Sequence, residues 1–184
     1  NHRQKKMGYN AAQELYKRVQ ESLSKRRDED EEKDSVKIKG VYRRMKKYCF
    51  GVDVGGTTIK MGFFDTEGNV LDKWEIPTRT ENGGENVLPD IAKAVKDKLA
   101  EKQIDKEEVS GIGVGVPGPV DSKGVVYKCV NLGWGIFNVN EKLEELTGIS
   151  VKAGNDANVA ALGEMWKGGG QGFNTLVVVT LGTG

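Results

Sequence analysis

The segment Asp53-Val54-Gly55-Gly56-Thr57-Thr58-Ile59-Lys60 most constrains what this chain can fold into. Residues 48–54 form an apolar run that reads as a buried strand with an acidic residue near its end. Residues 57–64 read as a second strand, so Gly55 and Gly56 must turn the chain within a few residues. A turn without Cβ atoms lets backbone N–H groups approach an anion such as a phosphate closely. The Thr57 hydroxyl can donate as well. A carboxylate at position 53 tolerates a polyphosphate if Mg²⁺ lies between them, directly or through water. Spacing alone equally allows a plain Gly-Gly hairpin. The pattern is neither a Walker A loop nor a GxGxxG turn.

The downstream periodicity predicts a third strand at 70–76, completing an antiparallel meander. A helix over 86–102 follows, with Val87, Ile91, Val95 and Leu99 at four-residue spacing. Residues 112–116 form a short buried strand closed by Pro117-Gly118-Pro119, and 124–130 are a further strand candidate. A helix over 139–146 ends at Gly148, a C-cap residue type. A strand at 151–153, a helix at 156–167 and a buried strand at 174–180 complete the order. Such alternation is α/β, with a mixed sheet flanked by helices.

Composition removes several function classes. Lys and Arg total 28 against 27 Asp and Glu, which excludes a globally basic nucleic-acid binder. Two cysteines, Cys49 and Cys129, supply neither a disulfide framework nor a four-thiolate zinc site. Cys49, inside an apolar run, is expected in the core. The only histidine, His2, leaves no Ser-His-Asp or Cys-His nucleophile. No apolar run reaches 18 residues and the start lacks a signal-peptide core, so no membrane and a cytoplasmic location are expected.

Charge divides the chain. Residues 1–44 carry net +5 and the remainder net −4. Residues 10–27 predict a narrow amphipathic helix capped by Asn10, followed by a charge block, without the second helix a helix-turn-helix needs. Residues 1–44 are read as a charged N-terminal extension, either native or upstream read-through. Lys39-Gly40-Val41 can be encoded by a purine-rich ribosome-binding sequence just before Met45, a point the coding DNA decides. At the other end, the apolar run into Leu181-Gly182-Thr183-Gly184 reads as a lobe truncated before its partner lobe.

Four segments together resemble a known family. They are the Asp53-x-Gly-Gly-Thr-x-x-Lys60 motif, Gly111-Ile112-Gly113-Val114-Gly115-Val116-Pro117-Gly118-Pro119, Asn131-Leu132-Gly133-Trp134, and Gly154-Asn155-Asp156-Ala157-Asn158-Val159-Ala160-Ala161-Leu162-Gly163-Glu164. In this order they are similar to the ROK family of sugar kinases and repressors, most of all to its bacterial ATP-dependent glucokinases. The resemblance covers 45–184. It implies the N-terminal lobe of the actin-like ATPase (ribonuclease H-like) fold, and phosphorylation of glucose or a related hexose at its C6 hydroxyl by ATP with Mg²⁺.

By resemblance, Asp156 is the catalytic base. Asn131, Asn155, Asp156, Pro117 and Gly118 face the sugar. Asp53, Gly55, Gly56, Thr57, Thr58 and Lys60, with Gly182, Thr183 and Gly184, hold the phosphates, and Asp53 meets the Mg²⁺. From spacing alone Asp156 is as well explained as a helix cap, and Lys60 as a solvated strand lysine. Pro117-Gly118-Pro119 is equally a rigid turn, and Trp134 is expected in the core. The family's downstream Glu-x-Gly-His sugar motif and structural zinc site would lie beyond Gly184. A homodimer is implied for a full-length protein, and near-inactivity for this fragment alone. A sugar-sensing repressor, or a kinase for another hexose or N-acetylhexosamine, remains the alternative.

Overall fold

Strand β1 (Tyr48–Val54) pairs antiparallel with β2 (Thr58–Asp65), which pairs antiparallel with β3 (Val70–Pro77). The computed structural model describes residues 46–179, all within one unit spanning Arg44–Gly184. The helix expected at 10–27, Met45, and the glycine turn at Gly182, Thr183 and Gly184 lie outside the described residues.

After the meander come a short helical turn (Glu81–Gly84) and helix α1 (Val87–Lys102). The chain then returns as β4 (Val109–Val116), parallel to β1. A two-residue pair, β5 (Val125–Val126) and β6 (Phe137–Asn138), precedes helix α2 (Val139–Thr147). Strand β7 (Val151–Asn155) pairs parallel with β4, and helix α3 (Asp156–Lys167) follows directly. The sheet order is β3-β2-β1-β4-β7, mixed as the sequence predicts.

Alternation along the strands makes two unlike faces. Phe50, Val52 and Val54 share one face with Ile59, Met61, Phe63, Ile112, Val114 and Val116, all buried. Helix α1 covers this face with Val87, Leu88, Ile91, Ala92, Val95 and Leu99. Its Lys98 lies 4.6 Å from the Trp74 ring centroid and 3.0 Å from Asp72 on β3. The opposite face carries Gly51, Gly62 and Gly113 at one register level, with Asp53, Lys60 and Gly115 at the next. Cys49 belongs to this second face and is half-buried, which corrects its expected core position; strand parity decides it.

Two predicted strands are also corrected. Residues 124–130 form only the β5 pair and then a 3₁₀ turn, Val130–Leu132. Val126, Cys129 and Leu132 are the buried residues there, and a spacing of three defeats a strand's period of two. Residues 174–179 form no strand, and Val177 is 82% exposed. No described strand pairs with them, and an apolar pattern cannot supply the neighbour that strand burial needs.

Candidate active site

Strand ends and helix starts gather the candidate residues at one end of the sheet. Gly154 and Asn155 end β7 and Asp156 opens α3, so the chain reverses there. Asn155 is the N-cap: its side-chain oxygen accepts from the Asn158 N–H at 3.2 Å. Asp156 is therefore the first helical residue and not the cap. Its Oδ1 accepts from Asn155 Nδ2 at 2.9 Å and from the Ala157 N–H at 2.8 Å. Among the described residues Oδ2 takes no hydrogen bond. Asn155 Nδ2 also donates to the Gly118 carbonyl at 3.2 Å, tying the Pro117-Gly118-Pro119 turn to the start of α3.

These residues line a cavity of about 700 Å³ with Val120, Asp121, Tyr127 and Asn158. Asp121 accepts from the N–H groups of Val125 and Lys123, which hold its carboxyl below the usual carboxylate range. The Tyr127 hydroxyl donates to the second Asp121 oxygen at 3.3 Å. Behind the turn, the buried Cys129 thiol donates to the Pro117 carbonyl at 3.1 Å. Burial, and secondarily the Asp156 charge, push this thiol's pKa up, so it is held protonated.

Asp53 is exposed and does not line that cavity. It lies on the same sheet face, two strands from β7. Its register partner on β4 is Gly115, and a Cβ on Gly115 would come within 3.4 Å of the Asp156 Cα. Asp53 and Asp156 thus flank one glycine. Gly55 and Gly56 turn the chain beyond Asp53, and Asn131 is exposed and packs against Gly56, at 3.8 Å from where a Cβ would sit to the Asn131 Cβ. Thr57 and Thr58 close the turn into β2, and Lys60, exposed, stands between Asp53 and Glu75 across the strands. Trp134 is buried, its Nε1 donating to the Gly84 carbonyl at 3.2 Å.

A Mg²⁺ ion fits this donor set only as a phosphate-borne ion. Among the described residues no three His, Cys, Asp or Glu side chains cluster as a metal cage. A single exposed carboxylate beside a glycine turn suits an ion held mainly by phosphate and water. No helix among the described residues is long and apolar enough to cross a membrane.

A family model described as "ROK family" matches residues 49–184. The chain belongs to the ROK family. A glucokinase of Halalkalibacterium halodurans is 48% identical over 139 residues, which are 75% of this chain and 42% of the relative. A beta-glucoside kinase of Listeria monocytogenes is 35% identical, over 72% of this chain and 42% of the relative. Among solved structures, a ROK family glucokinase from Streptomyces griseus in complex with glucose and AMPPNP superposes with a TM-score of 0.55 at 33% identity. That match covers 68% of this chain and 38% of the other. The chain thus spans about two-fifths of the length of the ROK proteins it matches. Its mixed sheet flanked by helices is the N-terminal lobe of the family's actin-like ATPase fold.

Sequence reasoning missed Asp121, Tyr127 and Asn158 as cavity residues. Asp121-Ser122-Lys123-Gly124 carries a legible turn signal, but nothing in it tells that the turn faces α3. Thr78, which bonds the glycine turn, was missed as well.

Proposed function

We propose that this chain is one lobe of an ATP-dependent sugar kinase that transfers the γ-phosphoryl group to the C6 hydroxyl of glucose. The observation that carries this reading is the placement of Asp53 and Asp156 on either side of Gly115, one beside a glycine turn and one lining the cavity at the start of α3. The glucokinase relatives support glucose, and the AMPPNP complex of the Streptomyces griseus enzyme supports ATP.

In this reading the sugar occupies the cavity bordered by Pro117, Gly118, Asn155 and Asp156, and Asn131, which packs on Gly56 and does not line that cavity, would meet the sugar from the side of the glycine turn. Bonds to Oδ1 fix the Asp156 carboxylate and leave Oδ2 to accept the C6 hydroxyl proton. The C6 oxygen bonds to the γ-phosphorus, the bond to the ADP oxygen breaks, and the proton stays on Asp156. Phosphoryl transfer has a loose transition state, so orienting the hydroxyl matters more than forcing its deprotonation early. Gly56 and Thr57 offer N–H groups and Thr57 and Thr58 hydroxyls to the phosphates, Gly55 shapes the turn with its N–H on the Thr58 carbonyl, Lys60 adds positive charge, and the motif Gly182, Thr183 and Gly184 would supply a second phosphate contact. Mg²⁺, met by Asp53 directly or through water, would offset charge on the phosphate oxygens.

The other side of the cleft comes from the remaining length found in the relatives, and catalysis needs both lobes to close. The test is a hexose panel assayed with ATP on a polypeptide of the relatives' full length. Glucose should give the highest kcat/KM among glucose, mannose, fructose, N-acetylhexosamines and beta-glucosides. Residues 45–184 alone should show no measurable turnover. Preference for another sugar would reassign the substrate, and DNA retardation without turnover would favour the sugar-sensing repressor.

A further inference from the structure

The segment joining β3 to α1 touches the glycine turn through one residue outside the motif. Thr78 Oγ1 donates to the Gly55 carbonyl at 2.7 Å, and the Thr78 N–H donates to the Thr57 carbonyl at 2.9 Å. Two carbonyls of the turn are thereby drawn to one threonine. Each peptide unit is planar and trans, so its N–H points opposite its C=O. Drawing the Gly55 carbonyl toward Thr78 therefore turns the Gly56 N–H away from it. Among the described residues neither the Gly56 nor the Thr57 N–H has an acceptor. A turn of this kind would otherwise be free to flip its Gly55–Gly56 peptide, because neither residue carries a Cβ to resist it.

The next residue ties the same connection to α1 without touching the glycine turn. Arg79 makes a bidentate pair with Asp90 on α1, with Nε to Oδ2 at 2.7 Å and Nη2 to Oδ1 at 2.6 Å. The same segment continues into Glu81–Gly84, where the Gly84 carbonyl accepts from Trp134 Nε1 in the loop that carries Asn131. One connection thus braces the turn at Gly55 and, three residues beyond Asn131, the loop that packs on Gly56.

We propose that Thr78 is a positioning residue for nucleotide binding: its hydroxyl sets the orientation of the Gly55–Gly56 peptide so that the Gly56 N–H faces the phosphates. This rests on the kinase reading above. Valine keeps the branched shape and the backbone N–H at position 78 while removing the hydroxyl, and serine keeps the hydroxyl.

The experiment measures kinetics of a polypeptide of the relatives' full length carrying Thr78→Val, Thr78→Ser or Arg79→Ala. With Thr78→Val, the KM for ATP should rise about fivefold to tenfold, the effect of one lost oriented hydrogen bond. The KM for sugar should stay within about twofold, since no cavity contact changes. Thr78→Ser should restore the ATP value, and Arg79→Ala should leave it close to wild type. An unchanged KM for ATP in Thr78→Val, an equal rise in Thr78→Ser, or an equal rise in Arg79→Ala would each overturn the proposal. If Thr78→Val does not fold, Thr78→Ala takes its place, with the same expected rise in the KM for ATP and an unchanged value overturning the proposal. A wild-type protein that phosphorylates no sugar with ATP would defeat the kinase reading and this inference with it. An active wild type with an indifferent Thr78→Val would defeat only the inference.

Discussion

The two faces of the central sheet are built on opposite rules. On one, Phe50, Val52, Val54, Ile59, Val114 and Val116 pack beneath α1 at almost no exposure. On the other, Gly51, Gly62, Gly113 and Gly115 carry no side chain, the Phe64 ring lies over Gly51 and Gly62, the start of α3 lies against Gly115, and Asp53 and Lys60 are exposed. The first face spends its residues on stability. The second has glycine where Phe64 and the start of helix α3 come close to the backbone, and the proposed function puts the ligands on this side. A face that stabilises by filling space should fail by losing mass, and a face that works by leaving space should fail by gaining it.

The sharpest break in this comparison is Asp156→Asn. Turnover of a full-length polypeptide should fall by about a thousandfold, within the range lost with a general base, while the KM for sugar changes little. Retained turnover would remove Asp156 as the base. On the packed face, Ile91→Ala should cost about 2–5 kcal/mol in denaturant unfolding, because Ile91 is fully buried against the sheet. The folded fraction of that variant should keep its KM values.

Gly55→Ala tests the open face by addition. A Cβ there would stand 2.7 Å from the Thr58 carbonyl oxygen, backbone that cannot swing aside. The KM for ATP should rise by about tenfold or more, and the strained turn should lower the thermal midpoint as well. Gly51→Ala meets only the edge of the Phe64 ring, at 3.1 Å, and should be tolerated with near-normal kinetics. Equal damage from both would mean that the open face acts by packing after all. The smallest effect separates the cysteines. Native-state alkylation followed by mass spectrometry should modify half-buried Cys49 before Cys129, which is 1% exposed. Burial raises the pKa of both thiols, and a nearby carboxylate adds to it at each, Asp65 at Cys49 and Asp156 at Cys129, so the order should follow access.

Much of the fold was legible because local periodicity and tertiary burial agree. The four-residue spacing from Val87 to Leu99 marked α1, and Gly148 in the left-handed conformation ended α2 where its type suggested. Legibility failed where burial came from elsewhere. The Val126, Cys129 and Leu132 anchors bend a stretch that looked extended, and 174–179 had an apolar pattern without a neighbour. In the site, the glycine turn and the Asn155-Asp156 pair announced themselves by residue type. Thr78 did not, because an isolated threonine after a strand carries no local signal.

The sequence by itself determined the order of elements through β4 and again from α2 to α3, the mixed α/β class and the family, since strand parity, helix spacing and four glycine- and acid-bearing segments are all local properties. Only the tertiary structure decided that Asp53 and Asp156 flank Gly115, that Asn155 and not Asp156 caps α3, and that Thr78 reaches back to Gly55. Those relations are set by strand register and by the path of one connection. A register brings together residues about 100 positions apart, and no local pattern of residue types encodes that distance.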